Sequence, residues 1–378
     1  MSANGNKPHP GGHVRPASKV DVGNYTPTNI LVTGGAGFIA SHVVIGLVEK
    51  YPQYKVVCLD KMDYCSSLHN LDQVKDKPNF RMVKGNLLSA DLMNYVLETE
   101  QIDTIIHAAA QTHVDNSFGN SFAFTENNVL GTHVLVEAAK KAGIRRFIHV
   151  STDEVYGSSY SEEPSRKEGD VLEPTNPYAA TKAAAENIAR SYWRTPPRRR
   201  ASPPPRTSAN PAHSVPQVIP KFVRRLVNGL PVCIHGDGSN SRHFIFVTDV
   251  ANAFDTIMHK GVDGEVYNIG CDDEFTNLEV AKKLVQAVTP GISDEEVAAQ
   301  ITHVEDRAFN DVRYYIDSSK LQALGWKCQV SFEEGLKRCV DWYKAVDKNW
   351  WPIGTDSALA PHPVKPKDAS PCEVIKGN

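Results

Sequence analysis

The sequence predicts an α/β protein built on a doubly wound parallel sheet, with a smaller C-terminal lobe assembled from interleaved pieces. Three observations predict it. Short apolar runs alternate with helical segments through roughly the first 150 residues. The first run leads straight into a glycine-rich turn. The fifth ends in a segment rich in hydroxyl and carboxyl groups, and a helix with tyrosine and lysine four residues apart follows it.

Residues 29–32 form an apolar run typical of a buried parallel strand, and they run into Thr33-Gly34-Gly35-Ala36-Gly37-Phe38-Ile39-Ala40-Ser41. Glycines at this spacing allow a tight turn and let the backbone approach a pyrophosphate. At the N-terminus of the following helix, 38–50, unpaired N–H groups and the helix dipole favour an anion. Gly34, Gly37, Phe38 and Ile39 are therefore candidate cofactor contacts, with Ala40 in the place of the last glycine. A second strand at 56–59 ends in Asp60, which is placed to accept hydrogen bonds from ribose hydroxyls and to repel a 2′-phosphate. The pattern points to a Rossmann-type unit that prefers NAD to NADP. Strands at 80–83, 103–107 and 146–150, with a helix at 90–98, continue the alternation. Ligands of such sheets lie beyond the carboxyl ends of the strands.

The fifth strand delivers Ser151-Thr152-Asp153-Glu154-Val155-Tyr156-Gly157, and Tyr178-Ala179-Ala180-Thr181-Lys182 follows. Residues i and i+4 share a helix face, so Tyr178 and Lys182 can approach one another. Ala179, Ala180, Ala183, Ala184 and Ala185 favour the helix. A nearby ammonium is expected to lower the phenol pKa and make Tyr178 a base near neutral pH. Thr152 could share the hydrogen bond to a reacting hydroxyl. Two adjacent carboxyl groups beside this pair describe a site that can oxidise an alcohol and then eliminate water.

These motifs resemble the extended short-chain dehydrogenase/reductases, and closely the nucleoside-diphosphate-glucose 4,6-dehydratases that act on dTDP-glucose or UDP-glucose. The glycine turn, Leu59-Asp60-Lys61, 109–117, 128–132, 151–157 and 178–182 carry the resemblance, with Gly236-Asp237-Gly238, Arg242, Asp249 and 306–314 in the C-terminal half. The resemblance implies NAD as cofactor and a homodimer. It implies conversion of a nucleoside-diphosphate glucose to its 4-keto-6-deoxy product and water. In that reaction Tyr178 removes the 4-hydroxyl proton, Glu154 takes the C5 proton, and a protonated Asp153 serves the departing 6-hydroxyl. Mutual repulsion of the two carboxyls is expected to keep one neutral. By the same resemblance Asn86, Leu87 and Ala109 belong to the cofactor site. Gln111, His113, Asp115, Arg242, Arg307 and Asn310 belong to the substrate site, the two arginines at the diphosphate. Sister epimerases and decarboxylases share the glycine turn and the Tyr-Lys pair, whereas Asp153-Glu154 speaks for elimination. The choice between dTDP and UDP stays open.

One segment departs from the family pattern. Residues 194–217 contain seven prolines, five arginines and no acid. The family carries a buried sixth strand and a sugar-gripping loop there. Proline lacks the N–H and fixes φ, so this text cannot form a central strand and reads as disorder or polyproline II. The segment keeps about the length of what it replaces, the signature of two compensating frame changes rather than of an insertion. If the text is authentic, the alternative reading is an NAD-binding protein without turnover.

The 378 residues are 41% hydrophobic and 22% charged, enough for one large core and a smaller lobe. A net charge of −3 gives no reason to expect nucleic acid or a membrane as partner. Seven scattered cysteines without metal spacing fit reduced thiols in a cytoplasm, and no metal site is expected. Loose tails are expected at 1–27 and 352–378, an NAD-binding domain at 28–193, and a sugar-nucleotide lobe at 218–351 from which 244–260 returns to the first domain. Within that lobe 264–270 reads as strand and turn and 277–288 as an amphipathic helix. The segments 321–325 and 331–346 close it, and Trp326, Trp342, Trp350 and Trp351 serve as packing anchors.

Overall fold

Strands whose residues are apolar on both faces must be covered on both faces, and this requirement organises the chain. The computed structural model describes residues 25–159, 163–194, 206–207, 218–306, 312–346 and 350. Five parallel strands form the central sheet: β1 (Asn29–Thr33), β2 (Lys55–Asp60), β3 (Phe80–Lys84), β4 (Thr104–His107) and β5 (Arg146–His149), in the order β3-β2-β1-β4-β5. Ile30 pairs with Val56 on one side and Thr104 on the other, so the order reverses direction across β1. The α/β class expected from the sequence is what the chain adopts.

The two-residue period of β1 distributes its side chains between two cores. Ile30 and Val32 pack with Val43, Val44 and Leu47 of α1 (Phe38–Lys50) and with Ala253, Phe254 and Ile257 of a later helix (Val247–Lys260). Leu31 faces the opposite layer, where Met93 and Val96 of α2 (Ala90–Thr99) meet Leu135 and Val136 of the helix Gly131–Ala142. Between β4 and that helix lie α3 (Val114–Gly119), α4 (Ser121–Phe124) and a π-helical turn (Thr125–Leu130), after which Gly131–Ala142 is α5. Helix α6 (Pro177–Arg194) follows β5.

Among the described residues the central sheet ends at β5. Within the proline- and arginine-rich segment, Arg206–Thr207 form β6, a two-residue strand parallel to Asn268–Ile269 (β9). The remaining readings for that segment, 195–205 and 208–217, lie outside the described residues. The expected strand at 264–270 shrinks to these two residues. Gly264 adopts φ +96, and β9 is fastened mainly by side chains: Tyr156 Oη donates to Asn268 Oδ1 (3.0 Å), and Glu168 Oε1 accepts from the Asn268 amide (2.9 Å).

The second core joins α7 (Val218–Val227), β7 (Val232–His235), the helix Asn277–Val288 and the helix Phe332–Ala345 through Phe222, Ile234, Leu284 and Val340. Strand β8 (Ser241–His243) and β10 (Glu274–Thr276) pair antiparallel beside it. In chain order the helix Val247–Lys260 is α8, and it packs on α1 of the first lobe. Trp326 is buried, and Trp342 and Trp350 lie edge-to-face at the rim; Trp351 is outside the described residues.

Two sequence readings need correction. Tyr25 is fastened, not part of a loose tail: its hydroxyl pairs with Thr104 Oγ1 at 2.7 Å, and the Arg146 guanidinium stacks over its ring. The other readings for 1–24 and 352–378 fall outside the described residues. Cys271 and Cys328 form a disulfide, because the fold brings the loop after β9 against the segment before Phe332–Ala345, with 6.1 Å between the Cα atoms. Cys58, Cys65, Cys233 and Cys339 are free.

Asp249 holds the two lobes in register. It is buried, its Oδ2 accepts from the amides of Gln329 (2.9 Å) and Val330 (3.0 Å), and its carbonyl accepts from Trp326 Nε1. Asp249→Ala takes the carboxylate from two part-buried N–H groups and should lower stability by roughly 2 kcal/mol, read as a shift of the urea midpoint. A shift below about 0.5 kcal/mol would show that water replaces the carboxylate.

Candidate active site

The site is assembled at the carboxyl ends of β1, β4 and β5. After Thr33 the chain turns at Gly34 with φ +70, and a Cβ there would lie 2.7 Å from Ala109 Cα. Only glycine lets the two loops meet at this distance. Gly37 precedes α1 in an extended conformation without a side-chain cap, which leaves the first amides of the helix facing the crevice. Asp60, at the end of β2, is buried; its Oδ2 accepts from Ala36 N (3.1 Å) and its Oδ1 from Met62 N (2.7 Å) and Ser66 Oγ (3.0 Å). Gly34, Gly37, Phe38, Ile39, Asp60, Asn86, Leu87 and Ala109 line one continuous crevice, so the residues present suit an extended dinucleotide.

The reactive groups line the same crevice: Thr152, Asp153, Glu154, Tyr178 and Lys182, with Gln111 between the two sets. Thr152 caps a 3-10 turn (Asp153–Tyr156), its Oγ1 accepting from Glu154 N at 3.3 Å. Gly157 ends that turn at φ +81, where a Cβ would collide with Glu173 O at 2.4 Å. Lys182 is buried and its Nζ donates to Val150 O at 2.6 Å. Burial pushes this ammonium down to about 8, against the Glu186 carboxylate one turn further on. Beneath it His107 and His149 are held neutral, first by burial and then by the Lys182 charge.

Tyr178 departs from expectation. Its phenol is raised above the ordinary range by burial, with Glu154 and Asp153 acting in the same direction and the Thr152 hydroxyl opposing. The buried Lys182 ammonium is engaged by Val150 and does not set the phenol's titration in the free chain. Asp153 is only half-buried as a residue, yet burial pushes its carboxyl up to about 6, with the Arg242 charge opposing. Desolvation, rather than repulsion by Glu154, is what raises it. Glu154 instead receives a donor: Asn176 Nδ2 to Oε2 at 2.9 Å.

The residues assigned to substrate are more scattered. Gln111 Nε2 donates to Asp63 Oδ2 (2.7 Å), which Lys61 also contacts at 2.8 Å. Asn86 lines the crevice, but its Oδ1 accepts from Leu88 N at 3.1 Å. His113 caps α3 through a contact with Asn116 N (3.2 Å). Asp115 stands on α3. Arg242 lies over the Tyr314 ring, its charge reaching Asp153. Arg307 and Asn310 lie outside the described residues. Among the described residues no three His, Cys, Asp or Glu side chains are grouped to hold a metal, and no helix is long and apolar enough to cross a membrane.

Sequence reasoning missed Asn128 and Asn176. Asn128 sits buried in the π-helical turn, a deformation that recurs at functional sites; it binds both the amide and the carbonyl of Gln111, and its Nδ2 reaches Thr181 Oγ1 (3.0 Å). Asn176 could have been found, because Asn followed by Pro is the signature of a helix N-cap and first turn.

A dinucleotide crevice at the switch point, with Tyr178 and Lys182 on one helix, defines the extended short-chain dehydrogenase/reductase class. The family model described as GDP-mannose 4,6 dehydratase matches residues 31–339, and the chain belongs to that family. It is 51% identical over 346 residues to a trifunctional UDP-glucose 4,6-dehydratase/UDP-4-keto-6-deoxy-D-glucose 3,5-epimerase/UDP-4-keto-L-rhamnose-reductase of Arabidopsis thaliana, covering 90% of this chain and 50% of that one. The chain thus spans about half the length of that relative. It is 46% identical over 341 residues to a dTDP-D-glucose 4,6-dehydratase of Mus musculus, covering 89% of this chain and 94% of the other. A crystal structure of a dTDP-glucose 4,6-dehydratase from Streptomyces venezuelae with NAD bound superimposes with a TM-score of 0.79 at 37% identity, covering 86% of this chain and 99% of that one.

The raised Asp153 carboxyl has a consequence for stability. Its folded value of about 6 exceeds the ordinary 3.8, so the native state binds the extra proton between those values and loses stability as pH rises through that window. Asp153→Asn should therefore be more stable than the parent by roughly 1 kcal/mol near pH 7.5, with the gain fading towards about pH 4. Thermal midpoints of both proteins across that range test the sign. A gain that is constant with pH would mean that Asp153 ionises as an ordinary carboxylate.

Proposed function

We propose that this chain is an NAD-dependent nucleoside-diphosphate-glucose 4,6-dehydratase, converting dTDP-glucose or UDP-glucose to the 4-keto-6-deoxy sugar nucleotide and water. The observation that carries the reading is the difference between two adjacent carboxyl groups in one crevice. Burial favours the neutral form of Asp153, and Glu154 is given a hydrogen-bond donor. An acid and a base side by side are what elimination requires.

In this reading Gly34, the first amides of α1, Asp60 and Ala109 hold the dinucleotide. When bound by these residues, NAD would supply a reversible hydride acceptor and a positive charge. Tyr178, hydrogen-bonded to Thr152, takes the proton of the sugar 4-hydroxyl. Lys182 keeps a positive charge beneath it. Oxidation at C4 acidifies C5–H, and Glu154 removes that proton. Asp153 donates its proton to the departing 6-hydroxyl, which leaves as water; the hydride taken from C4 would then return to C6 while Glu154 gives its proton back at C5, which completes the 4-keto-6-deoxy sugar and restores the oxidised cofactor. Arg242, with Arg307, Asn310, His113 and Asp115, is assigned to the nucleotide and sugar.

We also propose a cytoplasmic homodimer. The apolar side chains of Phe118, Phe122 and Leu130 are exposed along α3, α4 and the π-helical turn, a face suited to a second copy. Four free thiols support a reducing compartment, and the Cys271–Cys328 bond is the feature on the other side. The competing reading, NAD binding without turnover, draws on the segment 194–217. A sister epimerase would leave the Asp153-Glu154 pair unexplained.

Incubating the protein with each nucleotide glucose should give a 4-keto product with its alkali-sensitive absorbance. Binding of NAD without product from either sugar nucleotide would favour the pseudoenzyme. Glu154→Gln should block dehydration, and a C5-deuterated substrate should keep its label, whereas the parent should release it to water. Tyr178→Phe should lose at least ~10²-fold in turnover with NAD binding largely kept. Near-normal turnover would mean that another group starts the reaction.

A further inference from the structure

Asn176 lies at the junction of the two halves of the reactive site, and both side-chain polar atoms and its carbonyl are engaged. It is 4% exposed. Its Oδ1 accepts from Ala179 N at 2.8 Å and its carbonyl from Ala180 N at 2.9 Å, which makes it the N-cap of α6 ahead of Pro177. Its Nδ2 donates to Glu154 Oε2 at 2.9 Å. Turning the amide over would set its oxygen against a carboxylate and its NH2 against a backbone N–H. The orientation is therefore fixed by both partners at once. Two residues after the cap stands Tyr178, and Lys182 follows one turn later on the same helix.

We infer that Asn176 is the positioning residue for the elimination base, holding Glu154 by the same amide that caps the helix of Tyr178 and Lys182. The inference rests on the dehydratase reading given above. A donor to a carboxylate oxygen favours the charged form and restricts its rotation. Asp153, on the same 3-10 turn, has Arg242 facing it from β8. Glu154 shares its surroundings with Asp153, with the Tyr178 phenol and with Lys182 from α6, while Thr152 Oγ1 engages its backbone. Asn176 thus separates the roles of two neighbouring acids that local sequence alone does not distinguish. It also couples the base to the oxidation machinery, since any displacement of the α6 N-terminus moves Glu154 and Tyr178 together.

Asn176→Ser and Asn176→Asp test this, because serine and aspartate are both good N-caps and preserve the helix. Serine is too short to cap and reach Glu154 together, and aspartate brings a second negative charge to it. Thermal midpoints identify the folded variants. The expected result is a fall of kcat of about tenfold or more with KM within about twofold. The acidic limb of the kcat profile should move to higher pH by roughly one unit in the serine variant and further in the aspartate variant. A folded variant with unchanged kcat and an unmoved acidic limb overturns the inference. A second readout does not depend on turnover: the carboxyl carbon of Glu154 in protein labelled with 13C-glutamate, assigned by its disappearance in Glu154→Gln. Its titration midpoint should rise in both variants. If the parent makes no 4-keto product but this midpoint still rises, the dehydratase reading fails and the positioning role stands; an unmoved midpoint removes the role whatever the activity.

Discussion

A lysine ammonium buried between the sheet and α6 is the constraint on which the site depends. Lys182 reaches through the protein to the carbonyl of Val150, just beyond β5, and so pins α6 to the strand that delivers Thr152, Asp153 and Glu154. Burying such a charge is costly unless it is compensated. The compensation comes from Glu186, which is itself buried, accepts from Ser151 Oγ at 3.0 Å and is reached by Arg190 at 3.3 Å. Two ties therefore join α6 to the segment after β5. The site cannot loosen on one side without exposing an unpaired charge on the other.

A second chain of bonds runs beneath the crevice, and its direction can be deduced. Thr132 Oγ1 donates to Asn128 O, so it accepts from His107 Nε2, and the neutral His107 must accept at Nδ1 from Thr33 Oγ1. Thr33 in turn accepts from Ala109 N. From Asn128 the bonds continue to Thr181, whose hydroxyl donates to the Tyr178 carbonyl. Neutral histidine is a requirement of this order, since an imidazolium has no acceptor for Thr33. The glycine turn, the π-helical turn and α6 are held in one polar framework.

Local pattern was enough to read the parallel sheet, α1, α2 and the helix Asn277–Val288, because apolar period and glycine or proline punctuation are properties of contiguous residues. The glycine turn and the Tyr178–Lys182 spacing were legible for the same reason. What the sequence hid depends on contacts across long separations. The upward shift of the Asp153 carboxyl comes from burial, and the raised Tyr178 phenol likewise reflects what surrounds it. The Cys271–Cys328 bond and the fastening of Tyr25 are likewise meetings of distant segments. Asn128 lay in a segment that carries the resemblance, but its contact with Gln111 depends on the π-helical turn and is not visible in local sequence. The 194–217 segment was recognisable as a departure by composition alone, and Arg206 and Thr207 within it pair with β9 instead of extending the central sheet.

Asp60, the residue proposed for the ribose, is almost fully occupied before any ligand arrives. A carboxylate offers about four acceptor positions. Three are taken by Ala36, Met62 and Ser66, which also lock the side chain in place. Little acceptor capacity is left over for a ribose. In the proposed reading its discrimination between dinucleotides works by refusal: a carboxylate held in place by three donors offers a 2′-phosphate no donor, while the grip on the accepted ligand comes from the backbone of the glycine turn.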